Sequence, residues 1–224
     1  MSSTKQRFTT RDLVLCALFA ALSAAGAFIR IPLPGVAFTL QTLFVLLAGM
    51  LLGRRLGPVS IGVYLLTGLF GLPVFTGGGG PAYVLRPSFG YLLGFLLSAW
   101  LTGFLTERLT AKAPEKGTAK APDLAADSSG SFSGSASGSS HWGKGSPGHA
   151  PSFAAYFGAG LAGVAAVYAL GVPYYYLIMN YYLGSPVGIA ATLVNCFLLT
   201  LPGDLLKLCL ASWLAKRIRP LLLR

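Results

Sequence analysis

The chain has 224 residues, 54% of them hydrophobic and 10% charged, with a net charge of +11. Soluble domains carry about 25% charged residues, so this composition excludes a soluble core and indicates an integral membrane protein. The basic residues lie in short clusters between apolar runs, not on one face with interleaved aromatics, which argues against a nucleic-acid partner and for a lipid bilayer, whose cytoplasmic loops collect Lys and Arg.

The apolar run after Arg11 is about membrane length and is followed by more spans, so the N-terminus does not read as a cleavable signal peptide. This first span runs roughly from Asp12 to Phe28, with Thr10 or Asp12 as its cap. Ala17, Ala21 and Ala25 recur at every fourth position, joined by Ala20, Ala24 and Gly26. Such a small-residue stripe lets another helix approach closely. Pro32, Pro34 and Gly35 then end the helix.

A short second span covers residues 38–52 and carries Gln41 near one membrane edge, where the amide is either a satisfied polar group or faces a cavity. Arg54 and Arg55 mark a cytoplasmic turn. The third span is roughly 56–73. Next comes PVFTGGGGPAYVLRPSF (73–89), whose four glycines cannot form a stable helix interior. It lacks the phosphate-loop pattern GxxxxGK[ST]. Phe75, Tyr83, Val84 and Leu85 are too apolar for a solvated linker, so a structured loop is expected, with Arg86 its only charge.

The fourth span covers about 89–105. Residues 113–150 are rich in Ser, Gly, Ala and Pro and read as a disordered linker. Its His141 and His149 read as solvated, not as metal ligands. A fifth span begins near Phe153 and is followed by a tyrosine cluster (174–176, 181, 182) suited to a membrane interface. Residues 187–198 are too short to span comfortably. Pro202-Gly203 is expected to break the chain and start a sixth span ending near Ile218, although one kinked helix from Val187 is the alternative. Cys16, Cys196 and Cys209 lack CxxC spacing and read as small core residues, giving neither a disulfide framework nor a metal site.

The expected fold is thus an all-α integral membrane protein, a bundle of six transmembrane helices. Residues 1–112 hold spans one to four, 113–150 a cytoplasmic linker, and 151–224 spans five and six of the same membrane domain. With the N-terminus inside, fourteen of the seventeen basic residues fall on the cytoplasmic side, which orients both termini inward.

The chemistry concentrates in Thr200-Leu201-Pro202-Gly203-Asp204-Leu205-Leu206-Lys207. Asp204 and Lys207 share one helix face. A charge within a membrane-length apolar stretch costs about 2.5–3.5 kcal/mol on insertion scales and marks a site or a pair. Two readings fit: the two charges neutralise each other, or they present an acceptor and a cation to a ligand. The inferred sidedness places them outside, with the glycine loop. A small amphipathic carboxylate suits that convergence, with Arg86 or Lys207 for its carboxylate, Asp204 for N–H donors, and Phe75 and Tyr83 for an apolar ring. No catalytic residues are assigned, because the spans hold no nucleophile–base pair or metal-ligand set; an intramembrane enzyme is the disfavoured alternative.

The segments PLPGVAFTLQTLFVLLAGMLLGRRLG (32–57), GLFGLPVFTGGGG (68–80), RPSFGYLLGF (86–95) and LPGDLLKLCLASWLA (201–215) resemble the BioY family. These are biotin-specific S components of energy-coupling factor (ECF) transporters. The resemblance implies a six-helix bundle in the cell membrane that captures biotin from outside as a transported ligand, with no cofactor. It implies partnership with a coupling protein and two ABC-type ATPase subunits, and ligand roles for Arg86, Asp204 and Lys207. The Ala17, Ala21, Ala25 stripe matches the face by which S components meet the coupling protein. Two features depart from the family pattern: the 113–150 insertion is long, and the glycine loop lacks an asparagine that some members use near the ureido ring, so that Thr76 or backbone groups would take its place. A same-fold subunit for another small carboxylate vitamin is the competing expectation.

Overall fold

A computed structural model describes residues 9–32, 37–111 and 152–222. The expectations for Lys5, Arg7, Pro34, Gly35, the 113–150 linker and its two histidines lie outside the described residues.

Helix α1 (Thr10–Phe28) starts two residues before the expected Asp12, because Thr9 is the cap. The Thr9 hydroxyl accepts from the Asp12 N–H (3.3 Å) and the Asp12 carboxylate accepts from the Thr9 N–H (3.1 Å), a reciprocal box that satisfies two helix-end donors. Its inner face (Cys16, Phe19, Ala20, Ser23, Gly26, Ala27) packs on α2, leaving Ala17, Ala21 and Ala25 on the exposed side. A two-stranded antiparallel ribbon follows, β1 (Arg30–Ile31) and β2 (Phe38–Thr39), where the sequence suggested only a break.

Helix α2 (Gln41–Leu69) is not one straight rod. Gly53 has φ +79° and ψ −173°, outside helical space and in the region favouring glycine. A Cβ on Gly57 would lie 3.1 Å from the Gly49 Cα. Eight residues of straight helix would separate those positions by about 12 Å, so the chain after Gly53 folds back along the chain before it. Glu107 of α3 (Phe89–Ala111) braces the reversal. Its Oε1 accepts from the Arg54 N–H (2.9 Å) and its Oε2 pairs with Arg54 Nε (3.2 Å).

The glycine stretch is an ordered loop, as its apolar residues suggest. Phe75 and Gly78 exchange two backbone hydrogen bonds (3.0 and 3.2 Å), and the Gly80 N–H reaches back to the Gly68 carbonyl (2.8 Å). Gly78 and Gly80 have φ of +113° and +101°, which explains glycine there. A 3-10 turn at Pro81–Leu85 leads into α3.

Helix α3 packs between α2 and α4 (Phe153–Leu177), and Gly94 lets α4 come so close that a Cβ would sit 2.8 Å from the Val167 Cα. Helix α4 runs on into a π turn, Ile178–Tyr182, with Tyr181 81% exposed and Tyr175 buried, so only part of the tyrosine cluster faces outward.

The last segment corrects one expectation. Helix α5 (Ile189–Leu193), a π turn (Val194–Leu198) and α6 (Leu201–Leu222) form one kinked helical course from Ile189 to Leu222, with no break at Pro202-Gly203. Pro202 is the second residue of α6, where its missing N–H is tolerated. Gly203 packs its backbone against the Phe38 ring, so it serves close approach and not termination. Helix α6 packs on α2 and α4. Among the described residues, five helical stretches are long and apolar enough to cross a membrane, α2 with its reversal counted as one.

Candidate functional site

Helices α2, α3, α4 and α6, the ribbon and the glycine loop enclose one cavity of about 60 Å³. A single water needs about 10–15 Å³, so the space suits a small solute or several waters. Its apolar walls are Phe38, Tyr91, Leu92, Phe95 and Val167; its polar groups come from Thr39, Gln41, Thr76, Tyr83, Ser88, Tyr168, Thr200, Asp204 and Lys207.

The Asp204–Lys207 pair is its electrostatic centre. The two are 7% and 5% exposed, and Lys207 Nζ lies 2.5 Å from Asp204 Oδ1. Desolvating two charges is repaid only when other hydrogen bonds complete their shells. Lys207 finds these in β2: Nζ donates to the Thr39 carbonyl (2.7 Å) and sits 3.8 Å from the Phe38 ring centroid. Asp204 Oδ2 accepts from the Tyr168 hydroxyl, which also contacts Thr200 Oγ1 (2.9 Å). The Asp204 N–H donates to the Thr200 carbonyl (3.1 Å), so the carboxylate lies in a helical turn and not at a bare helix N-terminus. Oδ1 contacts Lys207 without hydrogen-bond alignment and retains accepting capacity.

The π turn shapes this wall. Thr200 Oγ1 lies 3.2 Å from both the Cys196 and Phe197 carbonyls, and the Tyr91 hydroxyl also donates to Cys196 O (3.2 Å). These contacts satisfy carbonyls freed where the α-helical ladder shifts register. The Tyr168 ring is held edge-on between Tyr91 (6.4 Å) and Phe197 (4.9 Å).

Opposite stands a chain of hydroxyls: Thr76 Oγ1, the Tyr83 hydroxyl and Ser88 Oγ are linked by two contacts of 3.1 Å. Arg30 ties the ribbon to this loop by donating to the Thr76 carbonyl.

Of the residues singled out in the sequence, Gln41, Thr76, Tyr83, Asp204 and Lys207 line the cavity together. Phe75 and Arg86 do not. Phe75 is 1% exposed and lies beneath Tyr83 (ring centroids 4.6 Å), where it fixes that ring. Arg86 is exposed, with its guanidinium 5.5 Å from the Tyr83 ring centroid. Ala17, Ala21 and Ala25 lie on the outer face of α1, away from the cavity. Sequence reasoning missed Tyr168, Tyr91, Ser88 and Thr200 as lining groups. Thr200 adjoins the Pro-Gly-Asp motif and could have been found there; Tyr168 is one of ten tyrosines with no local mark.

Residues 2–224 match the model of the BioY family. "Biotin transporter BioY" of Thermotoga maritima is 32% identical over 94% of this chain and 97% of its own length. "Probable biotin transporter BioY" of Lysinibacillus sphaericus is 64% identical over 38% of this chain and 43% of its own. A similarly named Pyrococcus horikoshii protein is 45% identical over 37% of this chain and 52% of its own. In these last two matches the chain spans about half the relatives' length or less. Among solved structures, the S component for biotin from an ECF-type ABC transporter has a similar fold: TM-score 0.68 and 24% identity, over 96% of this chain and 95% of that one.

Proposed function

Because the chain belongs to the BioY family, we propose that it is a multi-pass membrane protein that captures biotin in the cavity around Asp204 and Lys207, for uptake and not for chemical conversion. The observation that carries this reading is the meeting of a buried ion pair, unsaturated hydrogen-bonding groups and an aromatic wall in one small cavity. Biotin combines a polar cyclic urea, an apolar thioether ring and a carboxylate tail, and each has a counterpart here. Asp204 accepts urea N–H groups, Tyr91, Phe95 and Tyr168 border the ring, and Lys207 or Arg86 takes the carboxylate. The match to a biotin S component supports the same fold for this chain.

The membrane arrangement is read as six spans with both termini cytoplasmic, counting the two arms of α2 separately. The Gly53 reversal supports that count. The excess of Lys and Arg on the side of the Arg54-Arg55 turn supports the orientation. The membrane is the cell membrane, and the energy comes from a separate module, a coupling protein with two ABC-type ATPases. The exposed alanine face of α1 is the surface offered to that coupling protein.

Saturable binding of labelled biotin to the purified protein, competed by biotin but not by other carboxylate vitamins, tests the ligand. Labelling of single cysteines by a membrane-impermeant maleimide, in a variant without its native cysteines, tests the topology. Ser185→Cys should react in intact cells and Arg55→Cys only after permeabilisation; the reverse would sink the six-span arrangement.

A further inference from the structure

The three carboxylates among the described residues are all engaged within the chain: Asp12 caps α1, Glu107 pairs with Arg54, and Asp204 pairs with Lys207. Arg108 is exposed and has no carboxylate partner among these residues. Its guanidinium stands 4.8 Å from the Phe104 ring centroid, and Phe104 stacks in turn on Trp100 (centroids 5.5 Å apart, interplanar angle 9°). At i, i+4 and i+8 the three side chains lie on one face of α3, and Trp100 is 44% exposed. The ladder ends about 20 Å along the helix from the cavity wall at Phe95, so it has no part in the site around Asp204.

This face has the dimensions and the charge of a phospholipid's partner. From Arg108 back to Leu97 the helix rises about 16 Å, which matches the hydrocarbon depth of one leaflet, about 15 Å. Leu97, Trp100 and Phe104 line that length with exposed or half-buried apolar groups, and Arg108 marks its end. An acyl chain fits along the first three. The headgroup then meets a guanidinium whose plane is fixed by stacking and whose charge needs an anion from outside the described chain. A zwitterionic headgroup brings its own cation to the phosphate, whereas an anionic one leaves the phosphate free for the arginine. An acidic protein segment could supply the charge but would leave the apolar length uncovered.

We propose that Trp100, Phe104 and Arg108 form a binding site for one anionic phospholipid, with its phosphate on Arg108 and an acyl chain along the two rings. The site goes beyond the biotin reading and does not depend on it, since it requires only that α3 spans a bilayer.

Quenching of Trp100 fluorescence by dibrominated phospholipids reads this contact, in vesicles that hold the full chain carrying Trp142→Phe and Trp213→Phe. Dibrominated phosphatidylglycerol, diluted in unbrominated phosphatidylcholine, should bind beside Trp100 about fivefold more tightly than dibrominated phosphatidylcholine, the scale of one basic residue at an anionic surface. Arg108→Gln should erase that preference. Arg217→Gln, which removes an equal charge from α6, should leave it in place. Should Arg108→Gln fail to fold, Phe104→Leu decides: it removes the ring under the guanidinium and should narrow the preference at least twofold. Equal affinities for the two lipids in the parent protein, or a preference that survives Arg108→Gln, would overturn the site. So would an equal loss with Arg217→Gln, which would assign the preference to the net charge of this end. Biotin binding is not the readout, so failure here would leave the cavity reading standing.

Discussion

Lys207 donates a 2.7 Å hydrogen bond to the carbonyl of Thr39, a residue 168 positions earlier in the chain. Through this contact the last helix holds the ribbon that precedes α2, and the same ammonium forms the ion pair with Asp204. The pair therefore has a structural role and a proposed ligand role at once, and the two can be separated by experiment.

Lys207→Met should destabilise the protein by about 3–5 kcal/mol, because it strands a buried carboxylate. The double variant Asp204→Asn/Lys207→Met removes both charges and should recover much of that loss. Neither should regain biotin binding. Thermal unfolding in detergent read beside a binding isotherm distinguishes the effects, and a double variant that binds normally would contradict a ligand role for the pair.

Tyr168→Phe removes the hydroxyl that holds Asp204 Oδ2 while keeping the ring between Tyr91 and Phe197. Affinity for biotin should fall by about tenfold, the scale of one charge-assisted hydrogen bond, and the melting temperature should fall too, because a buried carboxylate oxygen loses its donor. Calorimetric titration at fixed pH checks this, and an unaltered isotherm would mean that Asp204 needs no such support.

Gly53→Ala should be costly although Gly53 is far from the cavity. A side chain at φ +79° is strained, and its Cβ would collide with the Glu107 carboxylate. About 1–3 kcal/mol is expected. Glu107→Gln should cost less, since an amide oxygen still accepts from the Arg54 N–H. A denaturation series ranks the two, and equal stabilities of Gly53→Ala and wild type would show that the reversal does not depend on glycine.

Ala21→Leu places a bulky group on the exposed face of α1. Biotin binding by the isolated protein should be unchanged, and uptake by cells that also express the coupling protein and ATPases should fall severalfold, the scale of about 1 kcal/mol lost at a close helix contact. Uptake equal to wild type would remove this face from the proposed interface.

The membrane class, the ordered glycine loop and the Asp204–Lys207 pair were legible in the sequence. Charges inside apolar runs and glycines in a row are local signals with local causes. The turn at Arg54-Arg55 was legible from its charges, although the backbone reverses one residue earlier, at Gly53. The course of the last segment was not. Pro202-Gly203 reads as a break, and only the three-dimensional structure shows the π turn and the Thr200 hydroxyl absorbing the proline while Phe38 packs on the glycine. Tyr168 was invisible for a related reason, since its hydroxyl matters only because α4 and α6 meet at that height. Arg86 carried the strongest local mark in its loop, yet it lies outside the cavity lining and stacks on Tyr83.

That position gives Arg86 a distinct signature. If it meets the carboxylate tail, Arg86→Met should weaken biotin binding more than binding of biotin amide, which lacks the charge. Equal losses for both ligands would assign Arg86 to holding the Tyr83 ring.

The most direct measurement is an equilibrium titration of the purified full-length chain in nanodiscs with biotin. Saturable one-to-one binding that is abolished by Asp204→Asn and by Lys207→Met in folded protein is the predicted result. No saturable binding, or binding that both substitutions leave intact, would contradict a biotin site at Asp204 and Lys207.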